Sequence, residues 1–344
     1  MFYVKGWNLM NKYRIAVDAM GGDNAPEAIL AGVEDALQAF PTLQVKLCGL
    51  PEVVGPFADA HERCDAVACS QVIEMDEHPA QAFKAKPDSS IVVGCKLVKD
   101  GEADAFYSAG STGACFTAGT MVLRRLKGVA RPALCTNVPC PSKTVVMCDV
   151  GANADCKPEY LVQFAKMATL YAKLLGATDP QVRLLNIGEE ETKGSAFAQE
   201  AHQLLKESIP NFAGNCEGRD ILAGTCDVVV TDGFTGNVAL KTVEGVGAML
   251  FAEMKKLFMA SAKTKVAASV LKPGFKALKD SVDPDTFGAA PVLGLKGPVF
   301  IGHGSSSPLA VKNSIALAMR SVESDLTGQI AAIADTGDNG AAKA

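Results

Sequence analysis

From residue 13 onward, short apolar runs alternate with longer stretches of helical periodicity. The pattern predicts strands over 13–17 and 43–47, with a helix opened by Pro26 between them and running to about Phe40. Residues 51–62 read as helix, 66–73 as a broken strand and 78–88 as a polar connection. A helix follows over 89–98, a buried strand over 103–108, a small-residue turn at Gly110-Ser111-Thr112-Gly113 and a helix over 114–125. Strands are predicted at 132–138, 144–149, 182–187, 211–216 and 226–231, and helices at 158–175 and 195–208, then from about 237 to 260. Glycine-interrupted strands at 287–293 and 297–301 lead into a last helix ending near Val322. A repeated strand, loop and helix cadence specifies an α/β fold with a doubly wound, mostly parallel sheet in three layers, α/β/α. Residues 13–325 are predicted to form this unit, 1–12 an N-terminal extension and 326–344 an unstructured tail rich in Ala, Gly and Asp.

Every predicted strand end carries glycine or polar residues: AGSTG at 109–113, DVGANAD at 149–155, NIGEEETKG at 186–194, EGRD at 217–220, DGFTGN at 232–237 and GHGSSS at 302–307. Ligands in open α/β sheets gather at the carboxyl edge of the strands, so these loops are expected to share one site. Two of them, 109–113 and 302–307, are strand, Gly/Ser turn, helix units, which aim free backbone N–H groups at an anion. Gly110, Ser111, Thr112, Gly113, Gly304 and Ser305 are therefore candidate phosphate contacts. His303 is a candidate donor to a phosphate or to a developing oxyanion. Asp18 and Asp23 flank Gly21-Gly22 at the first strand end, where they are expected either to orient other groups or to accept protons.

Apolar residues make up 48% of the 344 and charged residues 21%, which suits a large buried core. The net charge of −5 argues against a nucleic-acid binder. Eleven scattered cysteines without a CxxC indicate buried free thiols in a reducing compartment. His61, Cys64 and Cys69 lack a second ligand pair, so no metal is expected. No apolar run approaches the roughly 18 residues of a membrane span, and the first nine residues are too short and mixed for a signal peptide, so a cytoplasmic location is expected. Met10 is a second candidate start. Residues 251–279 carry seven lysines and one acid, a net +6, with Phe251, Met254, Leu257 and Phe258 on one helical face. Such a segment either lies on an anionic surface or packs as a solvated hairpin.

AGSTG at 109–113 is one residue short of the G-x-S-x-G nucleophile elbow, and Ser111, Asp232 and His303 stand in hydrolase order. A serine thioesterase or esterase is thus one reading. There is no Walker A motif and no G-x-G-x-x-G after the first strand.

The whole set of motifs resembles the bacterial phosphate acyltransferases called PlsX. The matching stretches are 15–23 with Ala25-Pro26, 85–90, 108–110 with 112–114, 149–153, 186–190 with Lys193-Gly194, 217–221, 232–234 with Gly236-Asn237, and 303–306, in unbroken order over about residues 13–322. The resemblance implies transfer of a long acyl chain from acyl carrier protein to inorganic phosphate. The acyl phosphate formed serves a membrane acyltransferase at the start of phospholipid synthesis. It also implies the fold of the isocitrate and isopropylmalate dehydrogenases, a homodimer, no cofactor, and peripheral membrane contact through a region like 251–279. Within that frame Lys193, Arg219 and Asn237 join the phosphate contacts. His303 or Asn153 is the oxyanion donor, and Asp232 or Asp149 orients a base or donor. Ser111 stands where the family usually has Asn, which speaks against a nucleophilic role. The +6 segment or the Lys84–Lys86 loop is the expected dock for the acidic carrier. A carrier- or membrane-binding regulator and a dehydrogenase of the same fold are the remaining readings.

Overall fold

The computed structural model describes residues 12–140 and 143–335. Its elements are β1 (Tyr13–Asp18), α1 (Glu27–Ala39), β2 (Leu43–Gly49), α2 (Pro51–Asp59), β3 (Cys64–Ala68), α3 (Pro79–Ala85), α4 (Ser90–Lys99), β4 (Ala105–Ser108) and α5 (Thr112–Ala118), extended by a π-helical turn over Gly119–Leu123. Next come β5 (Ala133–Pro139), β6 (Thr144–Cys148), α6 (Pro158–Leu174), β7 (Val182–Leu185), α7 (Ala196–Ser208), β8 (Phe212–Cys216), α8 (Gly218–Ala223) and β9 (Val228–Val230). The chain ends in α9 (Gly233–Met259), α10 (Ala262–Val282), β10 (Ala290–Leu293), β11 (Val299–Ile301), α11 (Pro308–Glu323) and α12 (Leu326–Asp335).

All eleven strands join one sheet in the order β3-β2-β1-β4-β11-β10-β5-β6-β9-β7-β8. Alternate residues of a strand face opposite layers. Ile15, Val17 and Tyr107 therefore enter one core with α1, α6 and α11, whereas Ala16 and Phe106 enter a second core with α4 and α5. β9 is Val-Val-Val and wholly buried, as a strand covered on both faces must be. The three-layer, mostly parallel arrangement expected from the cadence is present.

The sheet has one break in its sense. β10 is antiparallel to both β11 and β5, and β5 is antiparallel to β6. The block β3-β2-β1-β4-β11 is parallel within itself, and so is β6-β9-β7-β8. Three reversals in succession leave the two blocks running in opposite directions.

Two expectations are corrected. The polar connection at 78–88 contains α3, opened by Pro79 at its first turn. The tail is not unstructured from 326: Leu326–Asp335 is helix, its Leu326 and Ile330 buried against the core that includes α6 and α11. Its alanine and isoleucine content suits a helix, and the buried pair supplies the packing a short helix needs. The rest of the tail, and residues 1–11, lie outside the described residues.

The basic segment forms the outer part of an α9–α10 hairpin. Phe251, Met254 and Phe258 are half-buried, and Phe258 meets Phe275 edge to face at 4.6 Å. Leu257 does not share that face and is 63% exposed. No described residue of α10 is buried, and Val246, Met249, Val266 and Val270 are exposed. The hairpin packs helix on helix and leaves an apolar outer surface.

Ile330→Ala should lower stability by about 2–4 kcal/mol in a denaturant titration, the cost of a cavity under α12. A loss below about 0.5 kcal/mol would show that α12 adds nothing to the fold.

Candidate active site

β1 ends on Asp18, which is buried. Its Oδ1 accepts from the Met20 N–H at 3.0 Å and its Oδ2 accepts from the Ser108 hydroxyl at 2.7 Å. The Ser108 oxygen in turn accepts from the Gly110 N–H at 3.0 Å. This relay ties the tip of β1 to the tip of β4. The fit leaves no room for a side chain: a Cβ at Gly21 would lie 2.5 Å from the Asp18 carboxylate and 2.6 Å from the Gly110 nitrogen. Gly22 has φ +109°, and the residue after it, Asp23, donates its backbone N–H to the Gly304 carbonyl at 2.7 Å. The Asn24 side-chain amide donates to the Ser305 carbonyl at 3.3 Å, and the Gly302 N–H to the Ser108 carbonyl at 2.8 Å. Residues 18–24, 108–113 and 302–306 therefore form one cradle. Burial pushes the Asp18 carboxyl above the ordinary range, opposed by hydrogen bonds from Ser108, Ser90 and the Met20 and Gly21 amides.

His303 is exposed on this cradle. Its Nδ1 accepts from the Ser305 N–H at 3.3 Å and lies 2.8 Å from the Ser305 hydroxyl. An Nδ1 that accepts places the proton of the neutral ring on Nε2, which assigns the tautomer from the network. His303 thus presents an Nε2–H donor. Ser111 precedes α5 as its cap residue, without a side-chain cap bond, and is almost buried.

Asp149, at the end of β6, is fully buried. It accepts from the N–H groups of Leu134, Gly151, Ala152 and Asn153 at 2.8–3.2 Å and from the Asn153 side-chain amide at 2.7 Å. Burial raises its carboxyl, and these donors oppose the shift. The second hydrogen of that amide goes to the Pro132 carbonyl at 2.8 Å. Both Asn153 donors are committed, so Asn153 is not the oxyanion donor the sequence offered. Asp149 acts as the anchor of the 149–153 loop. Asp232 accepts from the Thr235 N–H at 2.8 Å and caps α9. Asn237 is exposed beside Gly151. Gly236 sits so close to β6 that a Cβ there would fall 1.9 Å from the Asp149 carbonyl oxygen.

At the next tips, the Asn186 N–H donates to the Cys216 carbonyl at 2.8 Å, joining the ends of β7 and β8. Lys193 is exposed on the loop between β7 and α7. Arg219 is exposed and pairs with Glu217 at 2.8 Å.

The expectation of one shared site is therefore divided. Gly110, Ser111, Thr112, Gly113, His303, Gly304 and Ser305 belong to the first block, and Asp149, Asn153, Asp232, Asn237, Lys193 and Arg219 to the second. The cause is the reversal of strand sense at β10 and β5, which no loop motif reveals. The triad of Ser111, Asp232 and His303 is not assembled: Asp232 caps a helix of the other block, and His303 Nδ1 is held by Ser305. Asp18 and Ser108, which the sequence left without a fixed role, are the buried links behind the cradle. His61 bonds the Phe57 carbonyl at 2.7 Å and stacks on its ring, and among the described residues no group of three His, Cys, Asp or Glu could hold a metal ion.

A family model described as fatty acid synthesis protein matches residues 13–329. The phosphate acyltransferase of Desulfitobacterium hafniense (strain Y51) is 47% identical over 322 residues, covering 92% of this chain and 96% of that one. That of Lysinibacillus sphaericus is 44% identical over 312 residues, covering 90% and 94%. Among solved structures, a phosphotransacetylase from Streptococcus pyogenes superimposes with a TM-score of 0.62 at 16% identity, covering 91% of this chain and 94% of that one. A 4-hydroxythreonine-4-phosphate dehydrogenase from Klebsiella pneumoniae gives 0.53 at 13% identity, covering 90% and 100%. At these identities the two structures speak for the fold alone. Fold and relatives together define an α/β acyltransferase. The chain belongs to the phosphate acyltransferase family, and it acts in fatty acid synthesis by acyl transfer that involves phosphate.

Asp18→Ala should cost about 1–3 kcal/mol, since it leaves the Ser108 hydroxyl and the Met20 N–H without an acceptor. The raised folded pKa means that the native state holds the proton more tightly than the unfolded chain does. The Asp18 contribution therefore favours folding at low pH and is lost as pH rises from the ordinary carboxylate range through the raised value. Asp18→Asn should flatten stability against pH over that span in a series of denaturant titrations, and an unchanged slope would contradict it.

Proposed function

We propose that the enzyme transfers a long acyl chain from the thioester of acyl carrier protein to inorganic phosphate. The product is acyl phosphate, consumed in phospholipid synthesis. The observation that carries this reading is the glycine-walled cradle at the tips of β1, β4 and β11, with the His303 Nε2–H beside it. Phosphate is nucleophilic near neutral pH, so the protein's work is to hold it against the thioester carbonyl and to steady the oxyanion. A phosphate oxygen forms the new C–O bond, the tetrahedral oxyanion collapses, and the C–S bond breaks to release the carrier's thiolate. The N–H groups of Ser111, Thr112, Gly113 and Gly304 hold phosphate, those of Gly110 and Ser305 being taken by Ser108 and His303, and His303 donates to the oxyanion.

Lys193, Arg219 and Asn237 supply the compensating contacts from the second block. Within one chain the two blocks face opposite ways, so a homodimer brings one copy's second block to the other copy's cradle. The apolar outer surface of the α9–α10 hairpin supports such an assembly and peripheral contact with an anionic membrane. The net +6 of residues 251–279 supports docking of an acidic carrier protein. Among the described residues, no helix is long and apolar enough to cross a membrane. We place the enzyme in the cytoplasm, in part at the membrane surface.

Incubation with acyl carrier protein thioester and phosphate should give a hydroxylamine-trappable acyl phosphate, and release of free fatty acid without phosphate would favour a thioesterase instead. His303→Ala and Arg219→Ala should each abolish most activity, the latter by raising the phosphate requirement. Equal mixing of the two inactive chains should restore about a quarter of wild-type activity, because half the dimers are hybrid and one of their two sites is intact. No recovery would place both residues in one chain's site. The apparent affinity for acyl carrier protein should weaken between low and high salt, and a salt-independent value would exclude a charged dock.

A further inference from the structure

The Lys193 loop is held from beneath by a buried pair that takes no part in the chemistry above. His202, on α7, is 3% exposed, and Asn215, on β8, is 1% exposed. Their side chains meet at 2.8 Å, His202 Nδ1 to Asn215 Oδ1. The Asn215 amide nitrogen donates to the Glu190 carbonyl at 2.9 Å. That bond fixes the orientation of the amide, so Oδ1 is an acceptor and His202 Nδ1 must carry the proton. The Phe212 ring holds the imidazole edge to face at 5.1 Å.

Glu190 is the hinge of the loop. The Lys193 N–H donates to the same Glu190 carbonyl at 3.1 Å, and the Asn186 amide donates to the Lys193 carbonyl at 3.1 Å. The Lys193 stem lies over Gly188, where a Cβ would come within 2.9 Å of it. One carbonyl thus receives both the buried asparagine and the backbone of Lys193. We infer that His202 and Asn215 are positioning residues that set the place of the Lys193 ammonium for phosphate. This rests on the reading of Lys193 as a phosphate contact. A loop ordered only by its own exposed hydrogen bonds would sample many positions of that ammonium. A buried, oriented amide fixes the backbone from which the Lys193 stem springs and so narrows that range.

The test uses the full-length enzyme with inorganic phosphate as the varied substrate. Asn215→Asp accepts from His202 but has no hydrogen for Glu190, so it cuts the relay at one bond. His202→Phe removes the donor, and His202→Gln restores it. Asn215→Asp and His202→Phe should raise the phosphate KM roughly tenfold, with the acyl-donor KM unchanged, and His202→Gln should recover most of the loss. In Asn215→Asp and His202→Phe, hydrogen exchange of residues 186–194 should speed up while the core strands stay protected, which separates loop release from unfolding. In a Lys193→Met background, His202→Phe should have no further effect on phosphate KM. If Lys193→Met raises phosphate KM and His202→Phe raises it again by the same factor, or if the phosphate and acyl-donor KM values shift together, the relay does not act through Lys193 and the inference falls alone. If Lys193→Met leaves phosphate KM unchanged, the reading of Lys193 falls and takes the inference with it.

Discussion

The reversal of strand direction at β10 and β5 decides to which edge of the sheet each loop is delivered. Two parallel blocks are each complete in themselves, with helices on both faces and buried strands between them. Parallel strands deliver their loops to one edge. Two blocks of opposite sense therefore have two functional edges, and the candidate residues fall on one or the other. The two strands that join the blocks, β10 and β5, are short, four and seven residues, and carry none of the candidate chemistry themselves.

Each edge is organised by a buried carboxylate of a different kind. Asp18 reaches across from one strand to a hydroxyl on the next, and so couples two loops. Asp149 turns back on its own loop and collects five donors from it and from β5. The first arrangement makes a joint surface, and the second makes a rigid corner. Asp18 is met by hydroxyls and backbone N–H groups together, Asp149 mostly by backbone N–H groups, which is how an otherwise costly group becomes tolerable in a core.

Most of the fold was legible because its strands are short, apolar and bounded by glycine or proline. The strand of three valines and the proline-opened helices α2, α6 and α11 were readable on local chemistry alone. Direction was not readable. Residues 133–139 and 290–293 look like any other buried strand, since a strand covered on both faces shows no alternation that tells parallel from antiparallel pairing. α12 was missed because its two buried residues are too few to show a period. In the site, residue types at the strand ends were legible, and partners were not. Asn153 looked like a free donor until Pro132, 21 residues away, took its second hydrogen. Asp232 read only as a site residue, and its contact with the Thr235 N–H shows it capping α9.

The root of the α9–α10 hairpin differs in kind from its tip. Gly236 admits no side chain against β6, whereas the distal turns touch little but each other and water. A substitution at the root therefore meets the sheet, whereas one at the tip meets solvent. The length, charge and greasiness of the tip can be altered without disturbing the anchorage that relates it to the rest of the fold.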